Sequence, residues 1–166
     1  SEIAEKYNIN PWKLISLTNK HPRVNILEPG PGVGGHCIAV DPWFLINDKK
    51  IKTKLIEASR NINQKRTSYI SMKVINALKK LNKRNASVAV LGLSYKANVD
   101  DIRESPSIEI IKNLLKHRTR IKKIFVVEPN LSTLTNDLHS KIVIKTNLNY
   151  AIKNADIILF LVAHKE

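Results

Sequence analysis

The residues best suited to chemistry lie in "EPGPGVGGHCIAVDPWF", Glu28 to Phe44, which holds four of the chain's five glycines and its single cysteine. A thiolate attacks electrophilic carbonyls and leaves readily from thioesters, so a covalent route through a thiohemiacetal and a thioester is open to Cys37. Asp41 lies four residues on. If Cys37 opens a helical turn, both side chains share a face about 5–6 Å apart, and the carboxylate can position or deprotonate a hydrolytic water. A lone cysteine is in general a small buried hydrophobe. The glycines before it shift the reading towards a nucleophile, because they let backbone and ligand approach closely. Adjacent side chains point apart, so His36 is expected to line a substrate pocket or support the loop rather than act as the base for Cys37. Trp43 and Phe44 are expected in the core.

Gly30, Gly32 and Gly35 also spell G-x-G-x-x-G, the dinucleotide fingerprint. The context argues against that use. Pro29 and Pro31 stiffen the approach, and Pro42 is expected to limit any helix after the glycines to about one turn.

The elements that must position this loop follow from periodicity. Before it, residues 2–20 read as two short helices, the second with Asn10 as N-cap and Pro11 at its first position. After it, neither Pro nor Gly occurs from Asp48 to Leu81. Leu55, Ala58, Ile62, Tyr69, Met72, Val74, Ala77, Leu78 and Leu81 recur there at helical spacing. The spacing predicts a helix of about 30 residues, ~45 Å long. A helix of that length needs a partner for its second face, another subunit or a neighbouring domain, and a dimer contact is the expectation.

Beyond the basic linker "KKLNKRNA" the period changes. "SVAVLGL", "KIFVVEP", "KIVI" and "DIILFLV" read as strands, separated by a helix opened by Ser105 and Pro106 and by short helices at 131–139 and 149–154. Alternating strands and helices imply a parallel sheet covered on both faces. The fold class expected is therefore α/β, a long central helix followed by a Rossmann-like domain, with boundaries at 1–84 and 85–166. Ligands in such sheets sit outside the strand carboxyl ends, here Gly92 to Glu104 and Glu128 to Asn130.

Composition excludes other classes. One cysteine allows no internal disulfide, and no Cys/His ligand spacing suggests a metal. The net charge of +14 invites a nucleic-acid reading, but the basic residues are dispersed and aromatics make up only 5% of the chain, so no stacking platform is expected. The longest apolar run, Ile157 to Ala163, is too short to span a membrane. A soluble, cytoplasmic protein is the expectation, and both ends read as cuts within a longer protein.

"PGPGVGGHCIAVDPWF" together with "VLGLSYKANVDDIRESPSIEI" resembles the UDP-glucose/GDP-mannose dehydrogenase family, over its central helical region and most of its C-terminal domain. The resemblance implies NAD-dependent oxidation of a sugar-nucleotide C6 alcohol to the acid in two steps, with Cys37 as nucleophile and Asp41 in support. It places Gly32, Gly34, Gly35 and His36 around the sugar, Lys96 on the UDP-sugar, and Arg103 on the cofactor pyrophosphate. Arg23 matches an arginine that reaches a neighbouring subunit's sugar nucleotide. His36 and Val40 make the loop similar to the branch acting on UDP-N-acetyl-D-mannosamine. UDP-N-acetylglucosamine or UDP-glucose, or a non-catalytic UDP-binding and dimerisation module, are the alternatives. The resemblance further implies a homodimer through the long helix. It leaves out the N-terminal NAD-binding domain, so the chain alone is expected to turn nothing over.

Overall fold

The computed structural model describes residues 2–165. The chain forms two compact units, Ser1–Gly30 and Pro31–Glu166. The first contains helices α1 (Glu2–Lys6) and α2 (Pro11–Thr18). As the sequence predicts, the Asn10 side chain accepts the Lys13 N–H at 3.1 Å and Pro11 occupies the first turn, where a missing N–H is harmless. Asn19 then closes the following loop by exchanging two hydrogen bonds with the backbone of Ile26, at 2.8 and 2.9 Å.

The second unit opens with the glycine loop and α3 (Asp41–Asn47), then α4 (Lys54–Lys80). Pro42 stands in the first turn of α3 rather than ending a helix. α4 has 27 residues and begins later than its lack of Pro and Gly suggests. Asp48 explains the delay: its carboxylate accepts the Lys50 N–H at 2.9 Å and its carbonyl accepts the Ile51 N–H at 3.1 Å, a local turn that competes with helix. Thr67, Ser71, Val74, Ile75 and Leu78 form the buried stripe of α4, while Leu55 and Ile62 on its other side are 81% and 68% exposed.

The sheet comprises β1 (Ala86–Leu91), β2 (Ile121–Val127), β3 (Val143–Lys145) and β4 (Ile157–Phe160), in the order β3-β2-β1-β4 with every pairing parallel. Two further helices cross over: α5 (Pro106–Leu115) joins β1 to β2, and α6 (Leu148–Asn154) joins β3 to β4. The side-chain period of two divides the strands between the faces. Val88, Val90, Ile124 and Val126 pack with α4 and α5, and Ala89, Leu91 and Phe125 pack with Ala151 of α6. Full burial of each large aliphatic here stabilises by about 1.5–3 kcal/mol. The fold is thus the expected α/β arrangement of a long helix and a parallel sheet.

Two expectations need correction. Residues 131–139 form only a 3-10 turn at Asn136–Leu138. Phe44 is 73% exposed and Trp43 is only half-buried, because α3, which carries both, has no buried residue, and Trp43 instead has the guanidinium of Arg60 5.9 Å from its ring centroid.

Candidate active site

Cys37 stands on a helical turn. The N–H groups of Val40 and Asp41 both donate to its carbonyl, at 3.0 and 2.8 Å, and Asp41 then opens α3. The turn is held down by Ala39, 3% exposed, while Cys37 and Asp41 themselves face solvent. The spacing between thiol and carboxylate is therefore the single helical turn that the sequence suggested.

The glycines before it serve contact with a second loop, residues 93–105, at the carboxyl end of β1. Gly34 lies against the Glu104 carbonyl, and a Cβ there would also come within 2.9 Å of Pro106 Cδ and 3.0 Å of Tyr95 Cβ. Gly35 has φ +91°, a conformation that side chains rarely adopt, and its N–H donates to the Arg103 carbonyl at 3.0 Å. From the other side, Asn63 of α4 accepts the Val33 N–H at 2.8 Å and donates to the Val33 carbonyl at 3.0 Å. The glycine loop is thus fixed both to α4 and to the loop leaving the carboxyl end of β1.

Asp101 joins the charged groups of these two loops. Its carboxylate receives Arg103 Nε at 3.0 Å and Nη2 at 2.7 Å, and His36 Nδ1 lies 4.0 Å away. The Arg103 side-chain hydrogen bonds, followed by the Arg103 backbone N–H, lower the Asp101 pKa to about 2. Arg103 is correspondingly raised, by Asp101 first, with Tyr95 and Cys37 close enough to contribute less. Lys96 is exposed in the same loop, its ammonium 5.5 Å from the Tyr95 ring centroid, and the Tyr95 ring would lie 3.0 Å from a Cβ on Gly35. Ser105 Oγ closes the loop, donating to the Leu93 carbonyl at 2.6 Å and accepting the Ser107 N–H at 3.2 Å as the cap of α5.

At the end of β2, Glu128 is 1% exposed. One of its oxygens accepts the N–H groups of Leu93 at 2.7 Å and Ser94 at 3.1 Å, and the other accepts that of Asn130 at 3.1 Å. Burial opposes its charge, but these three N–H groups and the nearby His164 outweigh it, so its pKa lies below the ordinary carboxylate value. His164, in the segment after β4, places Nε2 3.1 Å from the same carboxylate.

Residues 1–65 match the central domain, and residues 89–166 the UDP binding domain, of the UDP-glucose/GDP-mannose dehydrogenase family. The chain belongs to this family. A UDP-N-acetyl-D-mannosamine dehydrogenase of Campylobacter jejuni is 42% identical over the whole chain, which covers 40% of that protein. An NDP-N-acetyl-D-galactosaminuronic acid dehydrogenase of Ralstonia solanacearum is also 42% identical over the whole chain, which covers 38% of it. Among solved structures, the UDP-D-ManNAc dehydrogenase of Pyrococcus horikoshii superposes with a TM-score of 0.80 at 32% identity, over 98% of this chain and 36% of that one. The chain spans about two fifths of the length of these curated relatives.

In this UDP-glucose/GDP-mannose dehydrogenase family member, the expected site residues Gly32, Gly34, Gly35, His36, Cys37, Asp41, Lys96 and Arg103 all fall on the two joined loops or the turn into α3. Arg23 lies in the first unit, exposed, with its N–H donating to His21 Nδ1 at 3.3 Å. Sequence reasoning missed Asn63 and His164, and it singled out no role for Asp101 although that residue falls in the marked segment Gly92 to Glu104. Asp101 and Asn63 carry no spacing signal. Glu128 fell in a segment marked as a ligand edge, but its carboxylate is occupied by backbone. Neither glycine stretch lies open at the positions a pyrophosphate would approach. Gly92, the one glycine of the first βα turn, sits against Val162, and Gly34 and Gly35 sit against the 93–105 loop.

Proposed function

We propose that this chain supplies the nucleophile and the nucleotide-binding part of a UDP-sugar 6-dehydrogenase acting on UDP-N-acetyl-D-mannosamine, with residues 1–84 as the central helical region and 85–166 as the UDP-binding domain. The observation that carries the proposal is the junction of the two loops: it holds the exposed Cys37 turn directly against the loop bearing Lys96 and Arg103. Lys96 takes the anionic nucleotide, and the backbone of Gly32 to Gly35 with His36 lines the sugar. Cys37 as thiolate attacks the C6 aldehyde carbon, forming a C–S bond and an oxyanion that takes up a proton. From the corresponding thioester, a water positioned by Asp41 attacks the acyl carbon, the C–S bond breaks, and the acid and the thiolate are released.

Two two-electron oxidations, of the C6 alcohol to the aldehyde before the thiolate attacks and of the thiohemiacetal to the thioester after it, each need a hydride acceptor, and in this reading that acceptor is NAD, as membership of the family implies. No NAD step is assigned to the residues described here. Arg103, held by Asp101, is the group on this chain directed at that cofactor. Arg23 is assigned to a sugar nucleotide across a homodimer, for which the exposed Leu55, Ile62 and Met72 on α4 provide an apolar face. No helix among the described residues is long and apolar enough to cross a membrane, and the reading assigns a cytoplasmic location.

A galacto-configured N-acetyl sugar nucleotide is a second reading, favoured by the equal identity to the Ralstonia protein. The test is the rate of Cys37 alkylation by iodoacetamide. UDP-N-acetylmannosamine is expected to slow it, the galacto epimer to slow it less, and duplex DNA to leave it unchanged. Alkylation indifferent to every UDP-sugar refutes the proposal, and an NADH-forming turnover by this chain alone would refute its reliance on residues elsewhere.

A further inference from the structure

Three strand ends converge beneath the Lys96 loop. The order β3-β2-β1-β4 runs outward from β1 in one direction through β2 and β3, then resumes on its other side with β4, so the topological switch lies between β1 and β4. The segments leaving those two strands meet at His164. Its Nδ1 accepts the Asn98 N–H at 3.0 Å, which leaves the ring proton on Nε2. Nε2–H then faces Glu128 Oε2 at 3.1 Å, with Ser94 Oγ at 3.3 Å. Asn130 Nδ2 lies 2.9 Å from Nδ1, and the Lys165 N–H donates to Asn98 Oδ1 at 2.6 Å. The side chains of Glu128 and His164 are 0% and 7% exposed, so the contacts are shielded from water.

The pair is bonded to both ends of the loop that carries Lys96. Glu128 holds the N–H groups of Leu93 and Ser94, Ser94 Oγ donates to the Lys96 carbonyl at 2.7 Å, and His164 holds Asn98 on the far side. Lys96 therefore lies between two anchors of one buried pair. Tyr95, between the same anchors, carries the contact to Gly35.

We propose that Glu128 and His164 form a buried latch that sets the 93–98 loop, and that His164 is thereby a positioning residue for the nucleotide-sugar site. This rests on the proposed function, since it takes UDP as the group that Lys96 binds. A histidine is required for a geometric reason: one ring presents an acceptor to Asn98 and a donor to Glu128 on opposite sides, so a single side chain ties β4 to both loops.

The test titrates the chain with UDP by calorimetry and follows amide hydrogen exchange in wild type, His164→Ala, His164→Gln and His164→Asn. His164→Ala leaves both a buried carboxylate and the Asn98 N–H short of a partner; UDP affinity is expected to fall about tenfold. Exchange at Asn98 is expected to accelerate while Val88 and Val126 keep their protection. Gln retains a donor towards Glu128 and Asn an acceptor towards Asn98, so each is expected to recover part of the loss. Wild-type affinity in His164→Ala overturns the inference, as does an equal loss in all three variants, which would indicate packing rather than a latch. Should His164→Ala fail to fold, wild-type affinity in both Gln and Asn variants overturns it. Absence of UDP binding to the wild-type chain overturns the proposed function and this inference together, and is distinguishable because no variant is then needed.

Discussion

Gly34→Ala tests the loop junction on which the site depends. The added carbon would overlap the Glu104 carbonyl and come within 2.9 Å of Pro106 Cδ and 3.0 Å of Tyr95 Cβ. Carbon contacts are comfortable at ~3.5–4.0 Å, so a shift of up to about 1 Å is required. Neither neighbour yields easily. Glu104 is already left-handed at φ 49°, and Ser105 and Pro106 are locked into the cap of α5. Overpacking of this kind costs about 1–3 kcal/mol. If the glycine loop lifts instead, it loses the Gly35 to Arg103 hydrogen bond, about 1 kcal/mol more. The expected destabilisation is therefore roughly 2–4 kcal/mol, a large part of the ~5–15 kcal/mol typical of a domain. Urea unfolding followed by circular dichroism measures it, and Gly30→Ala is the control, since no atom lies within 4 Å of a Cβ there. That control is expected to be neutral or to stabilise by up to about 1 kcal/mol through the unfolded state. In Gly34→Ala, UDP-sugar is also expected to protect Cys37 less from alkylation. If both variants unfold at the same urea concentration, the packing argument is refuted.

Three further outcomes follow from the same geometry. Ser105→Ala removes a cap and a buried bond to Leu93, and urea unfolding is expected to show a loss of about 1–2 kcal/mol, with α5 fraying first in amide exchange. Because Asp101 is lowered from 3.8 to about 2, its pairing with Arg103 contributes stability fully above pH ~4 and loses it as pH falls through ~2. The stability difference between wild type and Asp101→Asn is expected to be flat at neutral pH and to vanish below about 2; a difference that disappears near pH 4 or above contradicts the pairing. Ile62→Glu places a charge on the exposed apolar face of α4, and sedimentation velocity is expected to show a dimer in wild type and a monomer in the variant; a wild-type monomer removes the dimer from the proposed function.

Much of the framework was legible because it depends on local signals. Asn10 and Ser105 announce their helices by cap chemistry that acts within three residues, and the strands announce themselves by apolar runs between turns. The turn linking Cys37 to Asp41 was legible for the same reason. What spacing could not supply was competition and pairing over distance. The side chain of Asp48 diverts the backbone from helix before α4, which an absence of Pro and Gly cannot reveal. Trp43 stands on α3, which has no buried residue, and meets a cation from α4, so a rule that buries aromatics misplaced it and Phe44.

Glu128 shows where a sequence argument could have gone further. The rule that ligands gather at strand carboxyl ends marked it as a ligand contact, and the structure assigns its oxygens to Leu93, Ser94, Asn130 and His164. Yet a carboxylate directly after the apolar run "IFVV" at the end of a central strand cannot remain charged without donors, because burying an unpaired charge costs several kcal/mol. In a parallel sheet the donors nearest such a group come from the segments leaving the neighbouring strands. That condition points to backbone N–H groups after β1 and, on the far side of β1, to a donor just past β4, where the sequence reads "VAHKE" and offers His164. The question that would have found the latch was what neutralises Glu128, before asking what Glu128 binds.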